Sequence, residues 1–232
     1  MCNLYDLGRA RHQSRDEWEE AVAQVIRESE QALAASSSAS PSRAPKLFGI
    51  RKTDPGLALT LERGEPAAHI MRWGFFRSYN PAVNNARSEK LDGTWSEPWQ
   101  QKRRCLIPLS TFYEWQGPAG AKQAFAFQAP DRTESLWAAG IWEKTPEGLD
   151  DSSFSYSMLT RESTGSLSEI HHRMPIILTR DQIPEFLEAE DPQDLLRASR
   201  DDLEFFRCEN PLKGIRDHEG PIRQDFLPGF DL

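Results

Sequence analysis

Long apolar runs are missing from this 232-residue chain. No stretch approaches the ~18 residues that a membrane-crossing helix needs, so neither a membrane span nor a membrane partner is expected. The opening Met-Cys-Asn-Leu-Tyr-Asp has neither the basic start nor the apolar core of a secretory leader. Cysteine is scarce. Cys2, Cys105 and Cys208 are odd in number and far apart, which argues against a disulfide framework and fits a reducing cytoplasm. No CxxC pair or His/Cys cluster is present, so no metal site and no cofactor is expected. Surplus positive charge is absent as well. A formal net charge of −8 argues against bulk nucleic-acid affinity, which rests on a basic footprint. The distribution of charge qualifies that exclusion. Residues 71–105 carry seven Lys or Arg against three acids, whereas residues 181–206 carry two Arg against nine.

What the chain does contain is an alternation of short, bulky, strand-prone segments. Residues 57–61 and 68–73 read as strands joined by a turn at Gly64, and residues 105–109, 112–115, 124–128, 135–142, 154–160 and 174–178 continue the pattern. Helices belong to the flanks. A Ser14-x-x-Glu17 capping box precedes apolar positions at Trp18, Val22, Val25, Ile26 and Leu33. A second capping pattern opens a helix over Thr179–Asp191, and Asp191-Pro192 starts another with proline at its first position. Residues 34–45 form an Ala/Ser/Pro-rich loop, and Gly74 to Pro98 reads as an ordered loop. The expected fold is α+β: one domain over residues 1–232, with a single β-rich core of mixed, partly barrel-like sheet and flanking helices.

Four places could carry chemistry. Cys2 directly follows the initiator methionine. Removal of Met1 would expose a free α-amine (pKa ~8) and a thiol (pKa ~8.5) on adjacent carbons. A 1,2-aminothiol condenses with an aldehyde, first as a Schiff base and then as a five-membered thiazolidine. An N-terminal cysteine also attacks acyl groups with its own amine as base. Taken alone, a cysteine at position 2 is most simply an accident of sequence. Asn84-Asn85-Ala86-Arg87-Ser88-Glu89 places amide, guanidinium and carboxylate close together, either to orient a polar ligand or to form an ordinary turn. Phe112-Tyr113-Glu114-Trp115 sets a carboxylate inside an aromatic strand, on the face of Phe112. Buried there, it would have a raised pKa and serve as acid or base; on an edge strand it would simply face solvent. Ile170-His171-His172-Arg173-Met174-Pro175 offers a general acid–base at a strand entrance, or an exposed histidine.

In their order and spacing, Met1-Cys2, Asn85-Ala-Arg-x-Glu89, Phe112-x-Glu-Trp115 and Ile170-His-x-Arg-x-Pro175 resemble the SRAP family, named for SOS-response-associated peptidase. The resemblance implies a protein that loses its initiator methionine and recognises single-stranded DNA carrying an abasic site. It would trap the ring-opened deoxyribose as a thiazolidine, which shields the lesion. By position, it makes Cys2 the crosslinking nucleophile, Asn85 the amide that positions it, Glu114 the carboxylate assisting imine formation, and His171 the proton donor in ring opening. Arg87 resembles a phosphate-binding side chain, and Pro55-Gly56 a turn lining the site. Arg72, Arg77 and Trp73 of the basic stretch are further candidates for DNA contact, as are Phe75, Phe76, Trp95 and Trp99 through base stacking; several of these aromatics also read as core, Trp73 above all. Members of the family often begin Cys-Gly-Arg, where this chain has Asn3-Leu4. A monomer is expected. The competing classes are an N-terminal-nucleophile amidohydrolase of glutaminase type and a Cys–His peptidase.

Overall fold

The computed structural model describes residues 2–8, 17–35, 46–132, 134–165 and 167–214. Its first strands are β1 (Leu4–Asp6), β2 (Ile50–Arg51), β3 (Pro55–Glu62) and β4 (Glu65–Trp73). Next come β5 (Phe75–Arg77), β6 (Asn80–Val83), β7 (Asn85–Arg87) and β8 (Arg104–Leu109). The centre holds β9 (Thr111–Gln116), β10 (Gln123–Gln128), β11 (Leu136–Lys144) and β12 (Phe154–Glu162). The last are β13 (Arg173–Pro175), β14 (Ile177–Leu178) and β15 (Glu204–Cys208). Helices are few: α1 (Glu17–Ala35), α2 (Ser96–Gln100), α3 (Leu167–Ile170), α4 (Gln182–Glu188), α5 (Gln193–Arg197) and α6 (Pro211–Gly214). Among the described residues, no helix is long and apolar enough to cross a membrane.

Strands β12, β4, β3, β8 and β11 pair in that order, and β11 pairs back onto β12. That closes a ring, so these five strands have no free edge between them. Its seed is the β3–β4 hairpin. Glu62 pairs with Glu65, and the two residues between them, Arg63 and Gly64, have φ of 55° and 86°. Positive φ at both central positions is the hairpin turn whose twist matches the strands it joins. Its strands bury Trp73 and Tyr156 on one face and Leu57 and Trp137 on the other, all fully or almost fully. From α1, Trp18, Val22 and Ile26, four residues apart, join this core.

A second sheet runs β15-β10-β9-β1-β2. Here β1 lies between β2 and β9, with Tyr5 opposite Phe112, so the start of the chain is woven into a sheet interior. On β9, Phe112 joins the main core while Tyr113 and Trp115 belong to a smaller cluster with Leu4, Ala124 and Cys208. The period-two alternation read from the sequence is therefore real.

Several expectations need correction. Residues 74–98 are not a loop: β5 and β6 form a hairpin, and β7 joins the large sheet in parallel with β12, Met158 opposite Asn85. Residues 174–178 are two strands, β13 and β14, on different neighbours. The helix expected over Thr179–Asp191 is limited to α4, whose N-cap is Asp181 and not Thr179; of the expected capping pattern only one half forms, with Gln182 Oε1 accepting from the Thr179 N–H at 3.0 Å. Pro192 caps α5 and does not occupy its first turn. The Ser14–Asp16 part of the first capping box, and residues 36–45 of the Ala/Ser/Pro segment, lie outside the described residues.

Candidate active site

Cys2 sits just ahead of β1 and is fully buried. Its Sγ donates to the Leu4 carbonyl at 3.4 Å. Its own carbonyl oxygen accepts from Asn85 Nδ2 at 2.7 Å and from Asn84 Nδ2 at 3.0 Å. Both asparagines are buried, and Asn85 starts β7, which its parallel pairing with β12 holds against the ring. Asn85 Oδ1 has no hydrogen-bond partner among the described residues. Leaving such an acceptor buried and unsatisfied costs about 1–3 kcal/mol, so this oxygen is poised for a donor.

Glu114 lies on β9, flanked by β1 and β10, with Phe125 directly opposite. It is 3% exposed, which removes the edge-strand reading. Burial pushes its carboxyl up to about 7, against the opposing pull of the chain's amino terminus and Lys122. The group thus divides between acid and base near neutrality. Burial, and then the negative charge of Glu114, push the Cys2 thiol far above its ordinary range. An activated cysteine commonly sits in a positive field that favours its thiolate. The structure has the reverse: Cys2 is buried as a neutral thiol within the negative field of Glu114.

His171 follows α3, which is tied to the end of β9 through Gln116 Nε2 donating to the Glu169 carbonyl at 2.5 Å. Burial first, then the positive charge of the amino terminus, lower its pKa to about 4, with Lys122 adding to the effect. Lys122 and the amino terminus also act on Glu114, so one local field spans both residues. His171 Nδ1 sits 3.0 Å from the Arg173 N–H and 2.9 Å from the Arg173 carbonyl. Arg173 is in turn fixed by Glu89 through two bonds, of 2.6 and 3.0 Å, and donates to the Thr160 carbonyl at 2.6 Å. The sequence places Asn84 and Arg173 within its candidate motifs but gives neither a role. The doubled asparagine and the Arg at i+2 from His171 were the available signals.

The DNA-contact candidates separate into two groups. Arg87 is exposed and lines a polar cleft of ≈360 Å³ with Ser163, Ser168, His172 and Arg173. Pro55 is half-buried at the head of β3, opposite Arg72 in a strand pair and not in a turn. Gly56 beside it is required because any β-carbon there would collide with the hydroxyls of Tyr5 and Tyr156, which lie 2.5 Å apart. Arg72 is buried: it pairs with Asp150 at 3.1 Å, donates to the Gly74 and Pro81 carbonyls, and lies over the Phe76 ring. Arg77 is held by Glu143 at 2.7 and 2.9 Å. Trp73 is fully buried between Tyr5 and Tyr156, and its indole donates to the Asn84 carbonyl at 2.8 Å. No face of that ring is open to a base. Phe75, Trp95 and Trp99 are core as well, and the exposed aromatic of this stretch is Tyr79. Among the described residues no group of three or more potential ligands could hold a metal ion.

Residues 1–211 match the family model described as SOS response associated peptidase (SRAP). Abasic site processing protein YoqW of Bacillus subtilis is 34% identical over 157 residues, covering 60% of this chain and 68% of that one. Abasic site processing protein HMCES of Gallus gallus is 28% identical over 142 residues, which are 48% of this chain and 42% of that longer protein. A solved protein of Bordetella bronchiseptica shares the fold, with a TM-score of 0.62 at 22% identity over 90% of this chain and all of that one. A Bacteroides thetaiotaomicron structure does the same, with a TM-score of 0.65 at 16% identity over 91% and 94%. With the matched region running from the terminal cysteine through the strand that carries Arg173, the chain belongs to the SRAP family.

Proposed function

We propose that this protein captures abasic sites in single-stranded DNA by forming a covalent thiazolidine with Cys2, once residue 1 has been removed. The observation that carries the reading is the set of groups gathered on Cys2: two amides on its carbonyl, and a carboxyl group of pKa about 7 acting on its thiol. The names of the relatives, abasic site processing proteins, support the substrate class.

In this chemistry Glu114 acts in each proton transfer in turn, and the other groups act once. The abasic sugar rests as a closed hemiacetal, and opening needs a proton removed from its hydroxyl and one delivered to the ring oxygen. Protonated Glu114 delivers the proton to the ring oxygen while neutral His171 takes the one from the hydroxyl; the histidinium then donates that proton to the Glu114 carboxylate, which restores both groups. The Cys2 amine then attacks the aldehyde, and the carbinolamine loses water to give the imine. Protonation of the departing hydroxyl falls to Glu114, and Asn85 Oδ1 accepts from the reacting amine or hydroxyl. Finally sulfur adds to the imine carbon, while the thiol proton passes to Glu114 and on to nitrogen. Condensation releases one water in total. Removal of Met1 comes first, either by Cys2 attack on the preceding carbonyl with hydrolysis of the resulting thioester, or by an aminopeptidase.

The experiment is direct. Intact mass establishes whether Met1 is absent, and the Met1-free protein is incubated with single-stranded DNA bearing one abasic site. A covalent band that survives denaturing electrophoresis is expected. Its absence overturns the proposal.

A further inference from the structure

We infer that Asn84, oriented by Asn3, is a second positioning residue for the crosslinking step, acting through the carbonyl of Cys2. The inference rests on the function proposed above and deepens it.

The first and last residues of a chain fray unless something ties them down. Cys2 precedes β1, and its carbonyl oxygen takes both of its donors from side chains, Asn85 at 2.7 Å and Asn84 at 3.0 Å. A carbonyl oxygen has two lone pairs, so the pair of amides saturates it. The amides are not equivalent. Asn85 keeps a buried Oδ1, unpartnered among the described residues, for the reacting groups. Asn84 instead spends its amide on the protein: Nδ2 also reaches Asn3 Oδ1 at 3.3 Å, so one hydrogen serves each acceptor. Its backbone carbonyl is gripped by the Trp73 indole at 2.8 Å and by the Met158 N–H at 3.1 Å. A relay therefore runs from the ring core through Trp73 and Asn84 to the terminal residue.

For a Cys2 with a free amine, this grip acts in two ways. Pinning the carbonyl fixes rotation about the Cα–C bond, and with it the directions in which the amine and the Cβ–Sγ arm leave the α-carbon. Both nucleophiles depend on that orientation, and near-attack placement governs the rate of such condensations. Two donors on the carbonyl next to the amine also withdraw electron density from it, which favours the neutral, nucleophilic amine. Asn3 gives Asn84 an orienting acceptor, at 3.3 Å, that a side chain without a polar atom would lack.

The test uses Met1-free protein in excess over single-stranded DNA with one abasic site, and follows single-turnover crosslinking from about pH 5.5 to 9 across the amine's titration range. Binding is measured in parallel with DNA carrying a tetrahydrofuran abasic analogue, which has no aldehyde. Asn84→Ala and the isosteric Asn84→Asp should each crosslink about tenfold more slowly, with the alkaline rise of the rate displaced to higher pH, while tetrahydrofuran-DNA binding stays within about twofold. Asn3→Ala should slow the reaction about threefold, and Asn3→Ala/Asn84→Ala should be no slower than Asn84→Ala alone, because the two act as one unit. Wild-type rates in Asn84→Asp overturn the inference, since size and not the N–H donor would then be at work. A matching loss of tetrahydrofuran-DNA binding overturns it as well. If Asn84→Ala fails to fold, Asn3→Ala decides: an unchanged rate and pH profile defeats the inference. A wild-type protein that forms no crosslink defeats the proposed function itself, a separate outcome.

Discussion

Glu89 and Arg173 form a two-bond ion pair, at 2.6 and 3.0 Å, that joins the two halves of the site. Glu89 lies just past Asn85 on the chain, and Arg173 supplies the backbone groups that face His171 Nδ1. The pair therefore couples the strand that holds Cys2 to the segment that carries the histidine. Arg173 is 6% exposed in its side chain and Glu89 is 49% exposed, so the bond is only partly shielded from water. Glu89→Ala should cost about 1–2 kcal/mol, between the values for exposed and buried pairs. Thermal melting checks this, and an unchanged melting temperature would mean that the pair is no strut.

Glu114 sets the pH dependence. Its carboxyl rises from 4.5 to about 7 in the folded chain. Across that window the folded state holds more protons than the unfolded one, so stability falls as pH climbs from ~4.5 to above 7, by on the order of 3 kcal/mol. Glu114→Gln removes that loss, so the variant should melt higher than wild type at about pH 8. It should also crosslink about 10²–10⁴-fold more slowly and lose the inflection near neutrality in its rate profile. A slow variant that kept the inflection would assign the titration to another group.

The shape of the fold was legible where the signal was local. Alternation located β3 and β4, and Gly64 located their turn, whereas the alternation around Glu114 left its burial open until β1 and β10 were found on either side of β9. Pairing over long separations left no such mark. β7 reads as loop in the sequence because its strand partner lies on β12, and β15 is hidden among acidic residues because β10 is what makes it a strand. Arg72 and Arg77 look like free cations until Asp150 and Glu143 are brought to them by the fold. Asn84 was visible in its motif but had no role assigned, because a side chain that grips a backbone carbonyl leaves no periodicity.

Cys2→Ala separates the two nucleophiles. The amine survives, so imine formation continues, but nothing closes the ring. The variant should give a DNA adduct only when borohydride reduces the imine, with the unreduced, denaturation-stable band lost by about a hundredfold or more, as the positioned thiol is gone. An equally stable unreduced adduct from Cys2→Ala would show that sulfur is not part of the product.

His171 should remain neutral throughout the working range. Burial and the nearby positive charges lower its pKa to about 4. Proton NMR of the imidazole should show a midpoint near that value, well below the ~6.5 of a free side chain. The folded state then binds fewer protons than the unfolded one between these values, so this residue costs stability as pH falls through that window. His171→Ala should slow crosslinking about 10²–10⁴-fold without moving the inflection due to Glu114. A midpoint near 6.5 would mean that the ring is solvated and not held at Arg173.

Arg87 and Arg77 allow the electrostatic assignment to be tested by contrast. Arg87 is exposed on the polar cleft, whereas Arg77 is spent on Glu143 and lies beside the Phe75 and Trp95 rings. For single-stranded DNA, each phosphate contact contributes about 0.7 to the slope of log affinity against log salt. Arg87→Ala should lower that slope by about this amount and weaken binding to all sequences alike. Arg77→Gln should leave the slope untouched and instead lower stability by about 1–2 kcal/mol, because Glu143 loses a partly buried partner. Titration of tetrahydrofuran-containing DNA over a range of salt concentrations distinguishes them. An equal loss of slope in Arg77→Gln would mean that DNA competes with Glu143 for this guanidinium, and that the ion pair opens when the strand binds.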